Sequence, residues 1–367
     1  MTVSLGQALA WRLDRHYLLS GASSVTEVVR RLCSVPAWSG DPDLAIRRRL
    51  EEPTPAADVQ RAVDDGDLIK TYAFRGATHL MTAEDAGVYL AVRSANRQWE
   101  LPSWQSHYGL QPGDWPALRE AVREALVDGP IGHAELIDAV TANPRFDHLR
   151  PGLSGASHTL LKPFAWQGDM CIGPMRDGQL TFQACETSPR WTGLPSLDEA
   201  GPRAVLAYLA GYGPTTRANL HYWLVAGLSA GRRRLDGWLD ELIGDRVVEI
   251  EVDGEPLLHL HEYADDLAAH SPDDGVTLLP GHDQWVLGAG TADARIVPPG
   301  RRASVTRGAN LVLRAGVVSG TWTIAKSQLA VSWFSEAGNP QPARLETEAH
   351  RLAGLLGADL NVSIAIS

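Results

Sequence analysis

The sequence predicts an α+β chain of tandem helical units, each closed by a two-stranded hairpin, with a β-rich C-terminal part. Three observations predict it. A segment opening on Gly-Pro occurs twice, as Gly129-Pro130-Ile131-Gly132-His133-Ala134-Glu135-Leu136 and as Gly213-Pro214-Thr215-Thr216-Arg217-Ala218-Asn219-Leu220. Both copies follow an amphipathic helix, open a second one and lead through a third into a hairpin, the order of elements in a winged helix. Where each of these hairpins should turn stands an Asp-Gly pair, Asp177-Gly178 and Asp253-Gly254, the strongest short-range hairpin signal. Beyond residue 276 the helical period gives way to short alternating strands.

In chain order, helices are expected over 3–19 and 24–34, the second capped by Ser24 with Glu27 three residues on. Further helices follow near 44–50 and 56–64, and two strands within 68–81 meet near Arg75-Gly76. Helices over 115–127, 134–141 and 157–166 precede strands at 170–173 and 179–183. Helices over 202–210, 217–224 and 232–243 precede strands at 247–252 and 256–261. The last part carries strands at 311–313, 316–322 and 329–334, a helix over 344–356 and a final strand. The expected domains are winged helices at 1–110, 111–195 and 196–270 and a β-rich domain at 271–367, packed together because no low-complexity linker separates them.

Composition narrows the function. Cys33, Cys171 and Cys185 are odd in number, far apart and without CxxC spacing, so neither a disulfide framework nor a zinc site is implied. The first fifteen residues lack a signal-peptide core, and no stretch approaches a membrane span. A reduced cytoplasmic protein, with no membrane partner, is expected. A net charge of −11 excludes a general nucleic-acid coat, which binds through counterion release by Lys and Arg. The basic residues are nevertheless clustered, at Arg30-Arg31, Arg47-Arg48-Arg49, Arg232-Arg233-Arg234 and Arg301-Arg302, and clusters that converge on one face can serve an acidic protein that acts on DNA.

Four stretches resemble the AlkZ and YcaQ-like DNA glycosylases: 72–85 (Tyr-Ala-Phe-Arg-Gly-Ala-Thr-His-Leu-Met-Thr-Ala-Glu-Asp), 208–223 with its Gly213-Pro214-Thr215, 278–288 (Leu-Leu-Pro-Gly-His-Asp-Gln-Trp-Val-Leu-Gly) and 320–322 (Gly-Thr-Trp). They span nearly the whole chain in the family's order. The resemblance implies tandem winged helices and a β-rich part arranged as a C around duplex DNA, and hydrolysis of the bond between an alkylated purine and deoxyribose. No cofactor and no metal are expected. A cationic alkylpurine is already a good leaving group, so such an enzyme needs a positioned water and groups that stabilise an oxocarbenium-like sugar. In the family this falls to a Gln-x-Gln motif in the loop after the second helix, since an amide both accepts and donates.

Here that loop reads Leu-Cys-Ser-Val-Pro-Ala-Trp-Ser-Gly-Asp-Pro-Asp over 32–43, and by register Pro36 and Trp38 stand at the two glutamine positions. Proline brings no polar side-chain atom and tryptophan only a donor, so neither accepts a proton from water. Asp41 and Asp43 are the nearest carboxylates and the candidate water-holding groups. The competing reading makes Asp41 the cap of the next helix, with Pro42 in its first turn. Arg47, Arg48, Arg75, His79, Lys326 and Arg232, Arg233 and Arg234 are the candidate DNA contacts, although Arg75 can equally pair with Glu84 or Asp85. His282 and Asp283 invite a metal or acid–base reading, against which stands a buried aspartate tying the β-rich part together, with no third metal ligand at the right spacing. Trp38 is placed to stack on a base or a planar drug.

The expected function is DNA repair by excision of bulky alkylated or crosslinked purines, as in self-protection against a genotoxic natural product, by a monomer acting on damaged duplex DNA. The alternative is an inactive scaffold that binds DNA or sequesters a planar DNA-damaging molecule, which Pro36 and Trp38 favour. A transcription regulator is disfavoured by the acidic balance and the lack of a separate sensor or dimerisation domain.

Overall fold

In the computed structural model, which describes residues 1–52, 55 and 57–367, the chain is α+β with several sheets. Helices at Val25–Arg31, Pro42–Arg47 and Ala57–Asp64 precede the strands Leu68–Tyr72 and Thr78–Thr82. Helices at Trp115–Ala125, His133–Thr141 and Lys162–Trp166 precede the short strands Cys171–Ile172 and Thr181–Gln183. A third run, Leu197–Tyr212, Arg217–Leu220 with a π-helical turn after it, and Arg232–Leu242, precedes the hairpin Val247–Val252 and Glu255–Leu260. At both Asp-Gly turns the two residues have positive φ, 51° and 74° at Asp177-Gly178 and 48° and 86° at Asp253-Gly254. This is the left-handed pair that a tight hairpin demands. The expected Ala56 start of one helix lies outside the described residues.

The described residues form two compact units, each discontinuous in sequence. One comprises Met1–Arg61, Val205–Trp223 and Gly237–Ser367, the other Ala62–Ala204 and Leu224–Asp236. They do not coincide with four contiguous domains, because apolar packing groups elements remote in sequence.

In the first unit, a five-stranded sheet runs in the order Val276–Leu279, Asn310–Arg314, Val317–Ala325, Gln328–Trp333, Asn361–Ile366. Its last pair is parallel, which requires a crossover, and the helix Pro342–Leu356 supplies it. That helix lays Leu345, Ala349, Leu352 and Leu355 on a face carrying Leu278, Val312, Leu329 and Trp333. Strand alternation turns Leu279, Leu311 and Leu313 to the other face, where Leu9 and Leu13 of the first helix meet Trp285. The same helix, Leu5–Arg15, opens on a full capping box between Ser4 and Gln7 and ends short of the expected residue 19, where Tyr17 turns left-handed at φ 57°. Its Ala8 and Trp11 face a second cluster with Ile250 and Val252 of a three-stranded sheet.

In the second unit, the strands Thr78–Thr82, Leu68–Tyr72, Cys171–Ile172, Thr181–Gln183 and Ile131–Gly132 are successive antiparallel neighbours. The helix Ala83–Ser94 is buried along most of its length. Gly87 is required within it, since a Cβ there would stand 2.0 Å from the Gly193 carbonyl oxygen. No helix among the described residues is long and apolar enough to cross a membrane.

Candidate functional site

The loop that follows the Val25–Arg31 helix begins with Cys33 in a left-handed conformation, φ 64°, and runs extended through Val35 and Pro36. Pro36 is buried, and Trp38 is 49% exposed. Asp41 then caps the helix Pro42–Arg47, its carboxylate accepting from the Leu44 amide at 2.9 Å.

The far side of this loop is the Gly-His-Asp-Gln segment at 281–284, more than two hundred residues away in sequence. Gly40 sits at φ 77° and approaches so closely that a Cβ would lie 2.3 Å from the Gly281 carbonyl oxygen. Ser39 Oγ is 3.0 Å from His282 Nδ1. The Trp38 and His282 rings pack with centroids 4.6 Å apart. Gln284 donates through Nε2 to the Ser34 carbonyl and, at 3.0 Å, to Ser34 Oγ, while its buried Oε1 has no partner among the described residues. Beneath them Arg49 and Asp283, both fully buried, form a two-pronged ion pair at 2.9 and 2.7 Å, and Asp283 caps the next helix through the Trp285 amide. Removing one partner of such a pair typically costs about 3–5 kcal/mol, so this bridge fixes the platform under the loop. Asp283 is thus the structural aspartate that its surroundings in the sequence suggested.

The capping reading of Asp41 describes its observed bonding. The Asp43 carboxylate receives Arg47 Nη1 at 3.0 Å, and burial pushes it up from its ordinary value although Arg47 pulls it down. The residue that sequence reasoning left outside the site is His282. Its juxtaposition with Ser39 and Trp38 is a tertiary contact, and the only sequence signal for it is a titratable group within the Leu-Leu-Pro-Gly stretch. Among the described residues no group of three or more His, Cys, Asp or Glu is placed to hold a metal.

The candidate phosphate contacts divide by exposure. Arg75, at φ 52° in the turn after Leu68–Tyr72, is exposed, as are Lys326 at the tip of the Val317–Trp333 hairpin and Arg232, Arg233 and Arg234. Arg234 is hydrogen-bonded to Asn96 at 2.7 Å. Arg48 departs from expectation: it is 2% exposed and its guanidinium bonds Glu348 at 2.7 Å, which in turn accepts from the Leu278 amide. An arginine committed to a buried carboxylate cannot reach a phosphate without leaving that charge unpaired. Arg47 is largely covered, donating to Asp43 and to the Leu355 carbonyl. His79 also departs, since it is 5% exposed and burial lowers its pKa to about 4. It is a neutral core group bonded to the Ala77 carbonyl.

The family model described as DNA glycosylase AlkZ-like matches residues 29–355. The chain belongs to the AlkZ-like DNA glycosylase family. An interstrand DNA cross-link repair glycosylase of Streptomyces sahachiroi is 34% identical over 97% of this chain and 98% of its own length. The solved structure of the Streptomyces sahachiroi DNA glycosylase AlkZ superposes with a TM-score of 0.93, covering all of both chains. The 32–43 loop and its His282 platform both lie within the matched residues.

Proposed function

We propose that this chain is a DNA-repair glycosylase that hydrolyses the bond between deoxyribose and a bulky alkylated or crosslinked purine in duplex DNA, working as a cytoplasmic monomer. The observation that carries the reading is the full-length likeness, in sequence and in fold, to a relative named for interstrand cross-link repair. In the reaction the C1′–N9 bond breaks with its electron pair passing to the cationic purine, and a water oxygen bonds C1′ as its proton leaves. Arg75, Lys326 and Arg232–Arg234 are the proposed phosphate contacts.

The test is base release from duplex DNA treated with a nitrogen mustard, which forms N7-alkylguanine monoadducts and interstrand crosslinks, run beside duplex carrying N7-methylguanine. Release from the mustard lesions, and slow or no release of N7-methylguanine, is expected. No release from either substrate refutes the glycosylase reading. Pro36 and Trp38 at the motif positions favour a second reading, an inactive scaffold that binds DNA or holds a planar DNA-damaging molecule. It predicts duplex binding without base release.

A further inference from the structure

His282 is held from three sides. Its backbone is left-handed at φ 58°, a conformation in which histidine is among the tolerated side chains. Trp38 packs against the imidazole. Gly308, itself at φ 86°, lies so close that a Cβ on it would stand 2.3 Å from His282 Cε1 and 2.8 Å from Nε2, so only a glycine admits the ring. Ser39 Oγ occupies the third side, at Nδ1, and Nε2 has no hydrogen-bond partner among the described residues. His282 also lines, with Pro36, Ser39, Asp41 and Gln284, a cavity of about 10 Å³, the scale of one water molecule. Gln284, whose buried Oε1 has no hydrogen-bond partner among the described residues, belongs to the same lining.

We propose that His282 is the catalytic residue that takes the proton from the attacking water, in place of the two amides absent at positions 36 and 38; this rests on the glycosylase reading above. An imidazole fixed through one nitrogen presents the other for proton transfer. In the tautomer this role requires, Nδ1–H donates to Ser39 Oγ, which leaves the Nε2 lone pair for the water. As the water oxygen bonds C1′ and the C1′–N9 pair moves to the purine, the water proton passes to Nε2 and then to solvent. Ser39 is a positioning residue that orients the ring through Nδ1. Asp41, at the cap of the next helix, and Asp283, paired with Arg49, line the same cavity as this imidazole, and Arg307 precedes Gly308 in the sequence. Only the neutral imidazole accepts a proton, so base release rises with pH on the acid side and then levels.

His282→Asn is the diagnostic variant. Asparagine tolerates the left-handed backbone and keeps an amide near the Nδ1 position for Ser39, but removes Nε2. In single-turnover release from nitrogen-mustard-treated duplex, it should fall by roughly 10²-fold or more and lose the acid-side rise, with thermal melting unchanged. His282→Gln, whose amide reaches about as far as Nε2, should recover part of the rate without the pH dependence, and it serves as a second variant if asparagine disturbs folding. A His282→Asn protein that keeps both its rate and its pH profile overturns the proposal while leaving the glycosylase reading intact. A wild-type chain that releases no base overturns both.

Discussion

At the scale of single residues, the buried histidines carry a pH dependence separate from catalysis. Burial lowers the pKa of His79 and of His259 to about 4 from an ordinary 6.5, and burial together with the Arg49 and Arg12 charges holds His16 well below its usual range. Between pH 6.5 and 4 the unfolded chain therefore binds protons that the folded one refuses. Stability must fall as pH drops through that window, by up to about 1.4 kcal/mol per pH unit for each such histidine. Melting followed from pH 7 to pH 4 should show this decline. His79→Asn, which can keep a donor for the Ala77 carbonyl, should make it shallower. An unchanged slope in that variant would show that His79 is not part of it. Nothing local in the sequence distinguishes a histidine in the strand Thr78–Thr82 that faces solvent from one that faces the core. His79 therefore read as a DNA contact, and its burial, with the ring packed against Phe74, argues otherwise.

Elements whose causes lie within a few residues were legible. The Asp177-Gly178 and Asp253-Gly254 turns, and the Ser24 cap that accepts from the Glu27 amide, follow from local backbone chemistry. The Glu27 carboxylate, however, turns to Ser23 rather than closing the box. The contact of the 32–43 loop with 281–284 was not legible, because it depends on Gly40 and Gly308 admitting close approach, which no periodicity encodes. Asp41 shows how such ambiguity resolves at the level of an element. Its bond to the Leu44 amide makes it a cap, so Asp41→Ala should cost about 0.5–2 kcal/mol of stability, whereas Asp41→Asn, which can still cap, should change melting little. Base release by Asp41→Asn should stay within a few-fold of wild type if His282 takes the proton. A roughly hundredfold loss with unchanged melting would move the general base from His282 to Asp41.

For the whole molecule, the family was legible because four short stretches in order constrain a sequence far more than any one does, whereas the compact units were not. The first helix joins a C-terminal sheet through Leu9, Leu13 and Trp285, and chain order carries no trace of that. Charge is the global property with the most direct consequence. At −11 overall the molecule repels a polyanion at long range, so binding to duplex must come from local cations. Arg232, Arg233 and Arg234 occupy the first turn of their helix, where the macrodipole disfavours positive charge. A phosphate would relieve that conflict by meeting the guanidinium groups. The logarithm of duplex affinity should therefore fall linearly with the logarithm of salt concentration, with a slope of about −0.9 per phosphate neutralised. Arg232→Ala and Arg233→Ala, both exposed and away from the 32–43 loop in sequence, should each make the slope shallower by about 0.9 if each neutralises one phosphate. Mobility-shift titrations at several salt concentrations measure this. A wild-type slope near zero would remove phosphate contact from the binding mode altogether, and a steep slope unaltered in both variants would take Arg232 and Arg233 out of the contact set and leave Arg75, Arg234 and Lys326 to supply it.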